Sequence, residues 1–501
     1  MSRNRPCVLN RVGTFLCLAL GLLNGVPAFA QWSEVTSGIF YREFQLAGPV
    51  RVYVARADRN VETWTIDSMT SLGEIKGGRE TVPDMAARYD GSITSDGRRY
   101  EVKVAINGDY YDMKTGVALG GQIISGWFAR RFGDSGGNSG FVWTTDRRCF
   151  LGGNVQDGPA HQHVIFSDGT SLKINQLNEP RGKDALALFT PQFASNTATS
   201  DDGLEVLVRV NVPVGLGNKA PGITGEVIKV REHTGASPLL FNHVILSAHG
   251  KAADELRKHV QVGQVLQLKL ELKDQGKPDI GLPPGDWRDA YASIGGPKCI
   301  LVNGKVPRDW EVKAAKYASE GKKHGSVVKD PRTAVAFNDH YIFFLVIDGR
   351  SKASLGMTFT EAGLFCKDEL KASNAILQDG GGSSTLWVNG KVRNVPSGKG
   401  TDEKFGVLRP AANGYLIAQL LPPKRSTAFV DGQKVQIKNS GELRLGPGTT
   451  FGSARKVSEA DHGVILPEPL NGIFAKGAYW WFCRVGEAEG WASLEQLIAS
   501  R

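Results

Sequence analysis

PRTAVAFNDHYIFFLVIDGR, Pro331 to Arg350, is two apolar runs about an Asn-Asp turn. Short runs rich in Val, Ile and Phe read as strands, and Asn338-Asp339 closes them into a hairpin. The second run is apolar without alternation, the pattern of a strand buried on both faces. It stops at Asp348-Gly349-Arg350. Pairing outward from the turn sets Arg332, with Thr333 beside it, opposite the residues just before Asp348. Arg332, Asp348 and Arg350 should therefore share one end of one sheet.

A helix should follow, about Phe359 to Lys371, because Thr358 and Glu361 make an S/T-x-x-E capping pattern. NAILQ (374–378) is the next strand. A right-handed crossover would run it parallel to the strand ending at Asp348, so both C-terminal ends face one crevice. At that edge stands LQDGGGSSTLWVNGK, 377–391, with Asp379, Gly380, Gly381, Gly382, Ser383 and Ser384 between apolar runs. TLWV (385–388) turns at Asn389-Gly390 and returns through VRNVPS (392–397), bringing Asn394 and Ser397 back beside the glycines. A third strand, VAINGDYYD (104–112), ends in Asn107, Gly108 and Asp109.

Glycines let backbone N–H groups converge on an anion, and Arg332 and Arg350 can clamp phosphate oxygens. Two carboxylates, Asp348 and Asp379, suit acid/base or nucleophilic work on an acetal. Together these groups fit a sugar–phosphate linkage. Each also has a plainer reading. Asp-Gly is a common turn, Asp109 sits in one, Glu361 is a helix cap, and Arg332 could simply neutralise Asp348. Carboxylates beside glycine loops are also compatible with calcium or magnesium, although the reading requires no cofactor. His161 and His163 lie two apart without a third ligand nearby. A serine-nucleophile elbow fails because Thr385 stands where glycine is needed, and no Walker lysine follows the glycines.

The 501 residues exceed one ordinary domain, and 61 glycines breaking short apolar runs point to a β-rich chain with many turns. Arg3, Arg5 and Arg11 precede an apolar run from Val12 to Leu23 and the small-residue site Ala28-Phe29-Ala30. Residues 1–30 therefore read as a signal peptide, and the protein as periplasmic or secreted. No later stretch is apolar for long enough to span a membrane. The formal charge of +9 becomes 9 − 3 = +6 once those arginines are removed. No aromatic-interleaved basic stripe calls for nucleic acid. Four cysteines would remain, Cys149, Cys299, Cys366 and Cys483, either bridged in one of three connectivities or free and buried.

Residues 38–419 read as one large α+β unit, with 202–274 strand-rich enough for a subdomain. LLPPKRS (420–426) is a linker, and 427–499 a small all-β module. AINGDYYD (105–112), DPRTAVAF (330–337), VIDGR (346–350) and QDGGGSSTLWVNGKVRNVPS (378–397) resemble, in order, the motifs of the phosphodiester glycosidase domain family. LFTPQFASNT (188–197), VILSAHG (244–250) and SIGGPKCILVNGK (293–305) extend the likeness. The resemblance implies a mixed-sheet fold of that type and cleavage of a sugar joined through its anomeric carbon to phosphate. It points to Asn107, Gly108, Arg332, Thr333, Asp348, Gly349, Arg350, Asp379 and the run Gly380–Ser384. Asp109 and Lys329-Asp330 depart from the family's usual residues. LRLGPGTTFG (443–452) and GWASLEQL (490–497) resemble bacterial SH3-like domains, which implies a wall-peptide or glycan ligand for the module.

The resulting expectation is an exported hydrolase acting on a sugar-1-phosphodiester or a related cell-envelope or exopolysaccharide glycan. The alternatives are a non-catalytic polysaccharide or cell-wall binding protein and a phosphodiesterase cutting P–O.

Overall fold

The computed structural model describes residues 31–133, 140–216, 222–296, 298–399 and 405–500. The expected signal peptide, 1–30, lies outside them. Strands hold 43% of the chain and helices 12%, so the architecture is the expected β-rich α+β type.

The hairpin of 331–350 forms as read. Arg332–Phe337 pairs Tyr341–Ile347 with Arg332 across from Ile347. The Asn338 carboxamide oxygen accepts from the N–H groups of His340 and Tyr341, which fixes the turn. The hairpin lies inside a seven-stranded sheet, flanked by Val50–Asp58 on one side and Asn374–Leu377 on the other. Both flanking pairings are antiparallel. Tyr341–Ile347 and Asn374–Leu377 therefore run in the same direction, with Arg332–Phe337 between them. At ordinary strand spacing their ends stand roughly 10 Å apart. The helix joining them, Phe359–Asp368, carries both bonds of the capping box and stops three residues short of Lys371. It covers one face of the sheet, where Phe359, Ala362, Phe365 and Cys366 meet Ile347, Ala334 and Leu377.

The other face packs on a five-stranded sheet that contains Trp64–Thr70, Arg99–Asn107, Leu386–Val388 and Asn413–Leu421. Val335, Val346 and Ile376 meet Val104, Ile106, Leu386 and Tyr415 in that shared core. This layering brings the Asn107 strand end over the Asp379 strand end. Asn389 and Gly390 both adopt positive φ, 46° and 84°, as a tight two-residue hairpin turn requires.

Val265–Leu270 alternates as expected for a half-buried strand. Its eight-stranded sheet also takes strands from 162–189, so the strand-rich segment is not self-contained. Cys149, Cys366 and Cys483 are free thiols, the last two buried, and Cys299 is buried as well. No described helix is long and apolar enough to cross a membrane.

Strands between Lys434 and Ala499 form a sheet with its own core of Val435, Ile437, Trp481 and Leu497. A second cluster joins this module to the rest: Leu445, Leu470, Ile473 and Trp491 pack with Ile93 and Leu240. The Phe241 N–H donates to the Leu445 carbonyl, and Lys476 Nζ to the Asp90 carbonyl at 2.6 Å. Gly446, Pro447 and Gly448 are buried, and so is Trp491. The two features that carry the SH3-like resemblance are therefore turned inward.

Candidate active site

Asp379 leaves its strand and joins the sheet above. Its N–H donates to the Gly108 carbonyl at 2.8 Å, and its carbonyl accepts from Asn107 Nδ2 at 2.7 Å. The Asn107 oxygen takes Thr333 Oγ1 at 2.8 Å and the Thr385 N–H at 3.1 Å. Asn107 and Thr333 are fully buried. The sequence suggested both as binding residues. The structure spends their polar atoms on locking three chain reversals together. Asn394 is used in the same way, accepting from the Leu386 N–H and donating to the Ser384 carbonyl.

The triple glycine packs against three guanidinium groups. A Cβ on Gly380 would stand 3.7 Å from Arg332 Nη1, on Gly381 2.7 Å from Arg350 Nη2, and on Gly382 3.3 Å from Arg409 Nη1. Gly381 also has φ +60°, where side chains are rare. Each arginine spends Nε and Nη2 on protein oxygens. Arg332 donates to the carbonyls of Met357 and Val328. Arg350 makes a forked pair with Asp330 at 2.7 and 2.9 Å. Arg409 holds Ser383 Oγ with Nε at 3.0 Å and Asp379 Oδ2 with Nη2 at 3.1 Å. Among the described residues, no protein acceptor takes the Nη1 of any of the three. The forks thus aim three arginines at one loop with a donor to spare.

The departure at Asp330 is explained by this arrangement, because Asp330 is what orients Arg350. Arg409 was not legible. It is a lone arginine in VLRP (407–410), outside every motif, and only the fold returns it to the glycines.

The three carboxylates have different surroundings. Asp348 accepts the Val395 N–H at 3.1 Å and the side chains of Tyr53 and Asn394. Burial raises its pKa to about 6 against these donors. It pins the return strand that lies beside the glycine loop. Asp379 is 6% exposed and accepts from Ser383 Oγ at 2.6 Å as well as from Arg409. Burial raises its pKa, and the Ser383 and Arg409 donors oppose the rise. Asp109 is 5% exposed and accepts from the backbone N–H groups of Tyr110 and Gly120, each at 2.7 Å. Burial pushes it up to about 7, and the charge of Asp379 pushes in the same direction. The Asp379 charge thus acts on Asp109, one residue beyond the Gly108 carbonyl that takes the Asp379 N–H.

His161 and His163 stand elsewhere: His163 lies in a strand of the eight-stranded sheet that is paired on both sides, and His161 ends the short turn before it. Among the described residues, no group of three His, Cys, Asp or Glu is arranged to hold a metal.

A cavity of about 810 Å³ lies at the seam with the C-terminal module, lined by Tyr89, Tyr100, Trp127, Arg209, Phe451 and Glu468. Two of its charged groups are satisfied internally: Arg209 pairs Glu226 at 2.6 Å, and Glu468 accepts from Asn242 at 2.6 Å. The glycine loop, with three oriented cations and a coupled acid pair, is the better chemical site.

The family model described as phosphodiester glycosidase matches residues 223–418. That span contains every site residue named above except those before 223, notably Asn107, Gly108 and Asp109. No curated protein matches the chain. Solved structures similar to this chain include these three. A hypothetical protein from Synechocystis aligns at 15% identity and TM-score 0.46 over 78% of this chain. The chain spans 63% of that protein's length. BPSS2145 from Burkholderia pseudomallei K96243 aligns at 18% and 0.46, covering 75% of this chain and 74% of that one. The catalytic domain of zebrafish N-acetylglucosamine-1-phosphodiester α-N-acetylglucosaminidase aligns at 15% and 0.35, covering 78% and 87%.

Proposed function

We propose that the protein is a hydrolase that cleaves a sugar from a glycosyl phosphodiester at this site. The observation that carries the reading is the convergence of Arg332, Arg350 and Arg409 on Gly380–Gly382 beside a coupled pair of aspartates. A phosphate lying on the glycines meets three fixed cationic donors and no Cβ. Asp379, hydrogen-bonded by Ser383 and Arg409, serves as base or nucleophile at the anomeric carbon. Asp109, protonated up to about pH 7, supplies the acid. The C1–O bond breaks, its electrons leave on the phosphate monoester, and water oxygen ends on C1. The match at 223–418 to the phosphodiester glycosidase family supports the same reaction class. Export of the chain and cell-wall or glycan binding by its C-terminal module remain part of this proposal. The buried Gly-Pro-Gly turn and Trp491 leave other faces of the module for that contact.

The test is hydrolysis of a panel of sugar-1-phosphodiesters in heavy-oxygen water, with and without chelator. Label is expected in the sugar. Label in phosphate would mean P–O cleavage, and binding without turnover would mean a carbohydrate-binding protein.

Arg409 gives a second check. Its charge lowers the pKa of Asp379, so Arg409→Gln should move the acid-side limb of kcat/KM to higher pH. The plateau should also fall about 10–100-fold, the worth of one charge-assisted hydrogen bond. An unmoved limb would remove Asp379 from the titration that governs rate.

A further inference from the structure

The backbone that braces this site also carries a cluster of exposed apolar side chains. The Tyr110 N–H donates to Asp109, and the Leu119 N–H donates to the Tyr110 carbonyl. Val328 supplies a carbonyl to Arg332. Leu355 precedes Gly356, whose backbone packs against Asp330. The Val395 N–H donates to Asp348. Val407 packs its carbonyl on Gly398, which in turn packs on Gly382. All six side chains stand in solvent, Leu119 being 64% and Val395 55% exposed. They are six of the sixteen large apolar side chains exposed among the described residues, gathered on a few short loops. Scattered surface valines need no explanation, but six exposed apolar residues on the loops that brace one cationic site do.

We infer that this rim receives a hydrocarbon arm of the substrate, so that the enzyme acts on a glycosyl phosphodiester whose second ester leads to an alkyl chain. The inference rests on the phosphodiester reading. A phosphodiester has two arms. If the sugar meets Asp109 and Asp379 and the phosphate meets the three guanidinium groups, the other arm must leave across the rim. Apart from the Tyr110 hydroxyl, the Val and Leu side chains of the rim offer that arm no hydrogen bond. They favour an arm that asks for none, and a second sugar or a peptide would gain little from them.

The experiment compares methyl and dodecyl esters of the same sugar-1-phosphates, below micelle-forming concentration. Each buried methylene is worth about fourfold, so kcat/KM for the dodecyl ester should exceed the methyl ester's by at least about tenfold. In Leu119→Ser/Val407→Ser the ratio should fall toward one. Equal rates in the wild type, an unchanged ratio in the variant, or faster cleavage of a glycopeptide phosphodiester would overturn the inference. Calorimetric binding of dodecyl phosphate against methyl phosphate reads the rim without turnover. Tighter, Leu119-dependent binding with no ester cleaved would reject the glycosidase reading and keep the apolar site. Equal binding with both esters cleaved would do the reverse.

Discussion

Asp379→Asn is expected to lower kcat on a sugar-1-phosphodiester by at least about 10³-fold while leaving the fold intact. The substitution changes one atom. The residue's backbone bonds to Gly108 and Asn107 do not involve the side chain. An asparagine oxygen can still accept from Ser383. What disappears is the charge that Arg409 faces and the lone pair that would attack, or activate water, at the anomeric carbon. Asp348→Asn is the necessary contrast. Its oxygen would still accept the Val395 N–H, so the return strand should stay pinned and the rate should fall by only about tenfold. Melting temperatures of both variants separate chemistry from folding. If Asp348→Asn is as damaging as Asp379→Asn in a fully folded protein, the two-aspartate assignment made from sequence was right and the Asp109 pairing is wrong.

The sequence pairs Asp379 with Asp348, whereas the proposed pairing with Asp109 rests on contacts that no local pattern carries. Strand direction was legible, because the hairpin at Asn338, the capped helix at Thr358 and the turn at Asn389-Gly390 are all local signals. Those signals correctly ran Tyr341–Ile347 and Asn374–Leu377 the same way. They could not say that Arg332–Phe337 would lie between the two, which sets their ends two strand spacings apart. Nor could they say that a second sheet would close over the first and deliver Asp109 instead. Asp109 and Arg409 reach the glycines through pairings of Asn413–Leu421 with Arg99–Asn107, more than three hundred residues apart in sequence. Such contacts follow from burial, not from local pattern. The same limit explains Asn107, Thr333 and Asn394. Spacing marked them as important, but whether a polar side chain faces a ligand or a neighbouring loop is decided by what packs above it.

Asp109→Asn should drop kcat by about 10²–10⁴-fold and erase the alkaline limb of the pH–rate profile. Burial, reinforced by the Asp379 charge, raises the Asp109 pKa to about 7. Below that pH the group holds a proton to give, and above it the proton is gone. Wild-type kcat should therefore decline above about pH 7, approaching tenfold per unit. The two acids titrate as a coupled pair, so the limbs belong to the pair, and removing one member should leave a single limb on the acid side. Stability carries the same signature. An unfolded aspartate loses its proton near pH 3.9, and Asp109 keeps it until about 7. Between those values the folded state binds the extra proton, so its contribution to stability is full at low pH and is lost as pH rises through 7. Asp67 and Asp348, each raised to about 6 by burial, slope the same way. The melting temperature of Asp109→Asn should consequently fall less steeply from pH 4 to 7 than that of the wild type. Kinetics and melting then report one proton by independent routes. A rate that rises through pH 7, or an alkaline limb that survives the substitution, would make Asp109 something other than the acid, whatever its pKa.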